Sequence, residues 1–220
     1  MIYCYNSLID AQGGIDTMSA FIEEFISYLN LIHRLSVSEN AQKTQNMVQC
    51  IDRHIRYKYL RVNEIVKLRT EMLQVDNLIN IFRTRFGDNL EYGKSTMDRL
   101  PDPYLPANTV LALVESALIH GLTSKEGDWR LNIDIDRNEH GLLIHITDNG
   151  IGPASTVTFS SAGSERKEVI AAVNLRLKDY FSNPVSGSVF ESQYGNTEPV
   201  NISSSGKCNK VTIHLPHSGL

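Results

Sequence analysis

Apolar residues recur at three- and four-residue steps through the first third of the chain. From Ile15 to Leu35 the stripe is Phe21, Phe25, Tyr28, Leu29 and Ile32, the spacing of one helix face. Gly13 and Gly14 precede it, and Asp16 or Thr17 is placed to cap it. Ser36 to Asn40 reads as a turn. A second helix is expected from about Glu39 to Leu60, with Met47, Ile51, Ile55 and Tyr59 on one stripe. The third pattern is the cleanest. Leu68, Met72, Val75, Ile79, Phe82 and Phe86 alternate steps of four and three, which is a heptad seam. Such a seam needs a partner helix, either within the chain or in a second copy. Both readings stay open, and dimerisation through the first two helices is preferred. Gly87-Asp88-Asn89 closes the helix, because glycine takes up the left-handed turn that ends one.

Beyond that point the period changes. Leu90 to Ser95 is a candidate strand, and Leu100 to Pro106, with three prolines, must be extended. Asn108 or Thr109 is placed to cap a helix carrying Val110, Leu111, Val114, Leu118 and Ile119. Leu131, Ile133 and Ile135 alternate with polar residues, Arg137 to Gly141 turns, and Leu142, Ile144 and Ile146 alternate again. That is a β-hairpin with one buried face. A helix near Lys167 to Phe181 and strands around Ser188 to Ser192 and Lys210 to Leu215 complete the pattern. The fold class is α+β: an N-terminal helical hairpin region, residues 1–87, then an α/β sandwich, residues 88–220, with a mixed, mostly antiparallel sheet. The boundary falls between Arg85 and Leu90.

Composition narrows the class of function. The 220 residues carry 21 basic and 25 acidic side chains, for a net charge of -4. No basic stripe argues for nucleic acid. No apolar run is long enough to span a bilayer, and Met1 to Ile9 lacks the basic flank of a signal peptide. Cys4, Cys50 and Cys208 are far apart and odd in number, so a metal site or disulfide framework is not indicated and a cytoplasmic setting is expected.

Two segments carry candidate chemistry. In Leu113-Val114-Glu115-Ser116-Ala117-Leu118-Ile119-His120-Gly121, Glu115 interrupts an apolar helix face, with Ser116 and His120 close to it by helical neighbour spacing. A carboxylate there is either paired or faces a cleft. In Thr147-Asp148-Asn149-Gly150-Ile151-Gly152-Pro153, a carboxylate ends a strand and two glycines let another group approach the backbone. Taken alone, the second run also suits a tight turn, since Asn-Gly is a frequent turn pair.

In this order and spacing the two segments resemble the N box and first glycine box of the ATPase superfamily of histidine kinases, DNA gyrase, MutL and ATP-driven heat-shock chaperones. The nearest resemblance is to the LytS-like sensor histidine kinases. Leu68-Arg69-Thr70-Glu71 through Arg85-Phe86-Gly87-Asp88 is similar to that family's connecting helix. Tyr104-Leu105-Pro106 through His120-Gly121 is similar to its N box, and Asp148 to Gly152 to its glycine box. The resemblance implies a dimerisation and phosphotransfer-like region before an ATPase domain, with ATP and Mg²⁺ as cofactors and a response regulator as partner. Asp148 would accept from the adenine amino group, Gly150, Ile151 and Gly152 would shape the base pocket, and His120 would lie near the phosphates. Glu115 would act as the catalytic base, and Ser116 would stand in the nucleotide and metal position.

The departures point to a degenerate member. Ser116 replaces the family's magnesium-chelating Asn. The second glycine box should fall near Lys167 to Ala172, which has no glycine; Gly163 is a candidate substitute hinge. Cys208-Asn209 replaces a Gly-Thr pair. Glu23 and Glu24 occupy the phosphoacceptor position, leaving His33 as a weak candidate in that helix. The expectations are therefore a kinase-like ATP-binding signalling protein, a dimeric pseudokinase acting on a response regulator, or a phosphotransferase using His33.

Overall fold

The computed structural model describes residues 13–87, 89–95, 97, 100–151, 161–182, 198–205 and 208–216. They form two compact units, Met1–Val62 and Asn63–Leu220. The expected strand at Ser188 to Ser192 lies outside the described residues.

The first unit is a helical hairpin of α1 (Gly13–Ser38) and α2 (Gln42–Leu60). Asn40 makes the turn with a positive φ of 54°, a conformation asparagine tolerates better than most residues. The helix begins at Gly13, two residues earlier than the sequence pattern suggests. Ile22, Ile26 and Leu29 are buried, with half-buried His33 and buried Ser36 continuing the same stripe. Their steps of four, three, four and three are those of a helix seam. A second stripe, one residue earlier at each position, is exposed: Phe21 64%, Phe25 40%, Tyr28 53%, Ile32 44% and Leu35 53%.

The second unit holds β1 (Ile65–Lys67), α3 (Leu68–Phe86), β2 (Leu90–Lys94), β3 (Tyr104–Pro106), α4 (Val110–Ser116), a π-helical turn (Ala117–Leu122), β4 (Trp129–Asn138), β5 (Gly141–Asp148), α5 (Ser161–Ser182), β6 (Val200–Ser204) and β7 (Asn209–Pro216). β1 pairs antiparallel with β3. The main sheet has the order β2-β4-β5-β7-β6, parallel only between β2 and β4. It is the mixed, mostly antiparallel sheet expected, with β6 an element the sequence pattern did not suggest. Leu131, Ile133, Ile135, Leu142, Ile144, Ile146, Val211, Ile213 and Leu215 are all buried, so alternate positions of three adjacent strands point to the core.

The heptad seam of α3 is buried inside this unit. Leu68, Met72, Val75, Ile79 and Phe82 are at most 7% exposed, and α3 packs on α4. The compact unit therefore starts at Asn63, whereas the pattern expectation grouped α3 with the N-terminal helices up to residue 87.

One buried carboxylate explains how α4 is held. Glu71 of α3 is fully buried and accepts hydrogen bonds from the backbone N–H groups of Asn108, Val110 and Leu111, at 2.8, 2.8 and 3.0 Å. These donors have no partner inside their own helix, and a negative charge there is favoured by the helix dipole. Neither expected cap does this work: Thr109 makes no side-chain cap, and its hydroxyl donates to Pro106 O at 2.6 Å. From the other side, Arg176 of α5 donates to the carbonyls of Ala107 and Asn108 at 3.0 and 2.8 Å.

Candidate functional site

Strand alternation puts Asp148 inside. It follows Leu142, Ile144 and Ile146 on the core face of β5 and is 1% exposed. Its cross-strand partner in β7 is Asn209, likewise the polar end of a buried row, Val211, Ile213 and Leu215. Asn209 is 1% exposed; its amide donates to Asp148 Oδ1 at 2.9 Å and to Gly150 O at 2.8 Å, while Ser204 Oγ donates to its carbonyl oxygen at 2.8 Å. Gly150 N donates to Asp148 Oδ1 at 2.9 Å. Asn149 ties the loop to β4, accepting from Arg130 N at 2.9 Å and donating to Asp128 O at 3.0 Å.

The remaining partner of Asp148 comes from α5. Arg166 Nη2 lies 2.7 Å from Asp148 Oδ2, and Nη1 3.4 Å from Oδ1. Nη1 also donates to Ile151 O at 2.9 Å. The two side chains are 2% and 0% exposed, a fully desolvated ion pair. A buried charge survives only when paired and hydrogen-bonded, and both conditions hold here.

The glycines serve close packing. A Cβ on Gly150 would collide with the backbone of Gly121, and Ile151 N donates to Gly121 O at 2.9 Å. A Cβ on Gly121 would meet Arg166 Nη1 at 2.6 Å. The glycine box and the end of the N-box helix are thus in backbone contact, with the guanidinium filling the space a side chain would take. Gly152 lies outside the described residues, and Gly163 falls within the first turn of α5 rather than in a loop.

The other end of the site lies on α4 and the turn that follows it. α4 widens after Ser116 into the π-helical turn, so His120 no longer follows the α-helical spacing that set it beside Glu115. Glu115 is half-buried on α4. His120 Nδ1 lies 2.6 Å from Glu165 Oε2, the residue next to Arg166. Ser116 is 5% exposed and its hydroxyl has no hydrogen-bond partner among the described residues. One short hydroxyl supplies a single oxygen, whereas Mg²⁺ takes octahedral coordination. Among the described residues no cluster of three or more His, Cys, Asp or Glu could hold a metal. Among the described side chains, the Ser116 hydroxyl does not supply the octahedral set that a resident Mg²⁺ needs.

His33 lies on the stripe of α1 that faces α2, with Nε2 2.9 Å from Gln49 Nε2. Glu23 and Glu24 are exposed on α1.

Arg166, Glu165 and Asn209 are the site residues that sequence reasoning missed. Asn209 was reachable by extending the alternation of β7 two residues back. Arg166 precedes Val169, Val173, Leu177 and Phe181 on the buried face of α5, so a cation at the head of an apolar stripe was the available signal.

The histidine-kinase family model matches residues 25–90. Among curated relatives, YwpD of Bacillus subtilis (strain 168) is 24% identical over 163 residues, 73% of this chain and 58% of that protein. The sensor histidine kinase BtsS of Escherichia coli (strain K12) is 26% identical over 153 residues, 70% of this chain and 26% of that protein. The sensor protein LytS of Oceanobacillus iheyensis is 27% identical over 124 residues, 56% of this chain and 21% of that protein. The chain therefore spans between about a fifth and 58% of these relatives' lengths. Among the described residues no helix is long and apolar enough to cross a membrane. Over these stretches the chain is similar to the histidine kinases, LytS-like sensors among them.

Proposed function

From that similarity we propose that the chain is the core of a two-component signalling protein, dimeric through its N-terminal helices, with a nucleotide-type site impaired for phosphoryl transfer. The observation that carries the reading is Asp148. In this reading a carboxylate at the end of a core strand, beside the backbone contact between Gly121 and Gly150, is the group that accepts from a planar hydrogen-bond donor such as adenine. Gly150 and Ile151 form the wall beside it, Ser116 and His120 the phosphate-facing side, and Glu115 the general base position. The impairment rests on Glu23 and Glu24 at the phosphoacceptor position and on Ser116 in place of a metal-binding amide.

The exposed stripe of α1 supports a second copy as the partner of the first unit. Its five apolar residues keep heptad steps while the neighbouring stripe already packs within the hairpin. In this reading the output is a binding surface offered to a response regulator. A relay through His33 is the competing reading, but its ring is turned toward Gln49 in the hairpin.

The test is incubation of the full chain with γ-labelled ATP and Mg²⁺. The expected result is no acid-labile, base-stable label on the protein. Label that disappears in His33→Gln would replace this reading with the phosphotransferase.

A further inference from the structure

Two consecutive residues of α5 bind the two ends of the candidate nucleotide site. Glu165 meets His120, expected on the phosphate side, and Arg166 meets Asp148, expected on the base side. We infer that the first turns of α5 are an internal ligand of this site, with Arg166 standing where the adenine amino group would donate. The inference rests on the reading of Asp148 as the base-recognising carboxylate.

The chemistry of the match is direct. An exocyclic amino group offers N–H donors in a plane to a carboxylate, and a guanidinium offers the same with a permanent charge added. Both carboxylate oxygens are already engaged: Oδ2 by Arg166 Nη2, Oδ1 by Gly150 N, Asn209 Nδ2 and, at 3.4 Å, Arg166 Nη1. The guanidinium lies against Gly121 in space that a flat base would need, and Arg166 is one of the largest fully buried side chains of the chain. A neutral amino group is a weaker donor to a carboxylate than a cation is. Adenine therefore does not displace Arg166 in place; the start of α5 has to leave first. At the other end Glu165 sets a carboxylate beside His120, so a triphosphate arriving there meets like charge.

The consequence is a site whose apparent affinity is the intrinsic affinity reduced by the fraction of molecules in which α5 is released. Nucleotide binding then becomes conditional on whatever moves α5, which makes this helix the point of regulation.

The experiment is a calorimetric titration of the full chain with a non-hydrolysable ATP analogue, with and without Mg²⁺, alongside thermal melts of each protein. The wild type is expected to bind only at millimolar concentration. Arg166→Met should bind at least tenfold more tightly, and Arg166→Met combined with Asp148→Asn should lose that gain. Arg166→Lys keeps the charge but one ammonium replaces the fork; it should fold if Arg166→Met does not and gain a few-fold. Glu165→Gln should give a smaller gain for the triphosphate. Wild-type binding as tight as that of a folded Arg166 variant overturns the internal-ligand inference and leaves the nucleotide reading intact. A gain that survives Asp148→Asn also overturns it. Folded Arg166 variants that bind nothing at millimolar analogue overturn the nucleotide reading itself.

Discussion

α1 and α3 carry the same heptad spacing and meet opposite environments. In α3 the seam from Leu68 to Phe82 is buried within its own unit, and its first turn delivers Glu71 as the cap of α4. In α1 the stripe from Phe21 to Leu35 stays 40–64% exposed. Period alone reports that a helix has an apolar side; it does not report what covers it. The covered seam builds the domain that holds Asp148. The uncovered one is the feature on which the proposed second copy rests.

Substitutions sharpen that contrast, largest effect first. Glu71→Ala leaves three buried N–H donors without an acceptor, each costing about 1–3 kcal/mol, so the second unit should lose most of its stability. A melt unchanged from wild type would show that the cap is dispensable. Leu68→Ala opens a cavity at a fully buried site and should cost roughly 2–5 kcal/mol by chemical denaturation. Phe25→Ala, at an exposed site of similar period, should change the stability of the isolated fold by no more than about 0.5 kcal/mol while weakening self-association. Equal losses for Leu68→Ala and Phe25→Ala at low protein concentration would erase the distinction between the two seams.

A smaller effect concerns pH. Burial is the main cause holding His145 and His214 below the ordinary histidine value of 6.5, aided by Lys210 near His145 and by His145 near His214. Asp136 and Asp134 oppose the shift at His145. The folded state thus binds fewer protons than the unfolded one. The stability of the second unit should be complete above pH 6.5 and fall as pH drops below it. Melts between pH 7.5 and 5.5, flattened in a His145→Gln and His214→Gln double variant, are the check.

Much of the fold was legible because hydrophobic period and element type agree. The hairpin of β4 and β5 follows from strict alternation, and α3 from its seam and Gly87. β6 was missed because Val200–Ser204 is mostly polar and has a single buried end. The site was legible as motifs and not as contacts. Asp148 could be placed at a strand end from the sequence, but its ion pair with Arg166 joins residues on separate elements. The cap of α4 shows the same limit: Asn108 and Thr109 are the local candidates, and a carboxylate 37 residues away does the work. Local pattern names the residue that lacks a partner, and tertiary packing supplies the partner.

The contrast between the two seams is tested most directly by sedimentation equilibrium of the full chain, wild type against Phe25→Glu with Ile32→Glu. The account predicts a wild-type dimer that becomes a monomer in the double variant, with the melt of the second unit unchanged. A monomeric wild type at micromolar concentration, or a dimer indifferent to both charges, would contradict it.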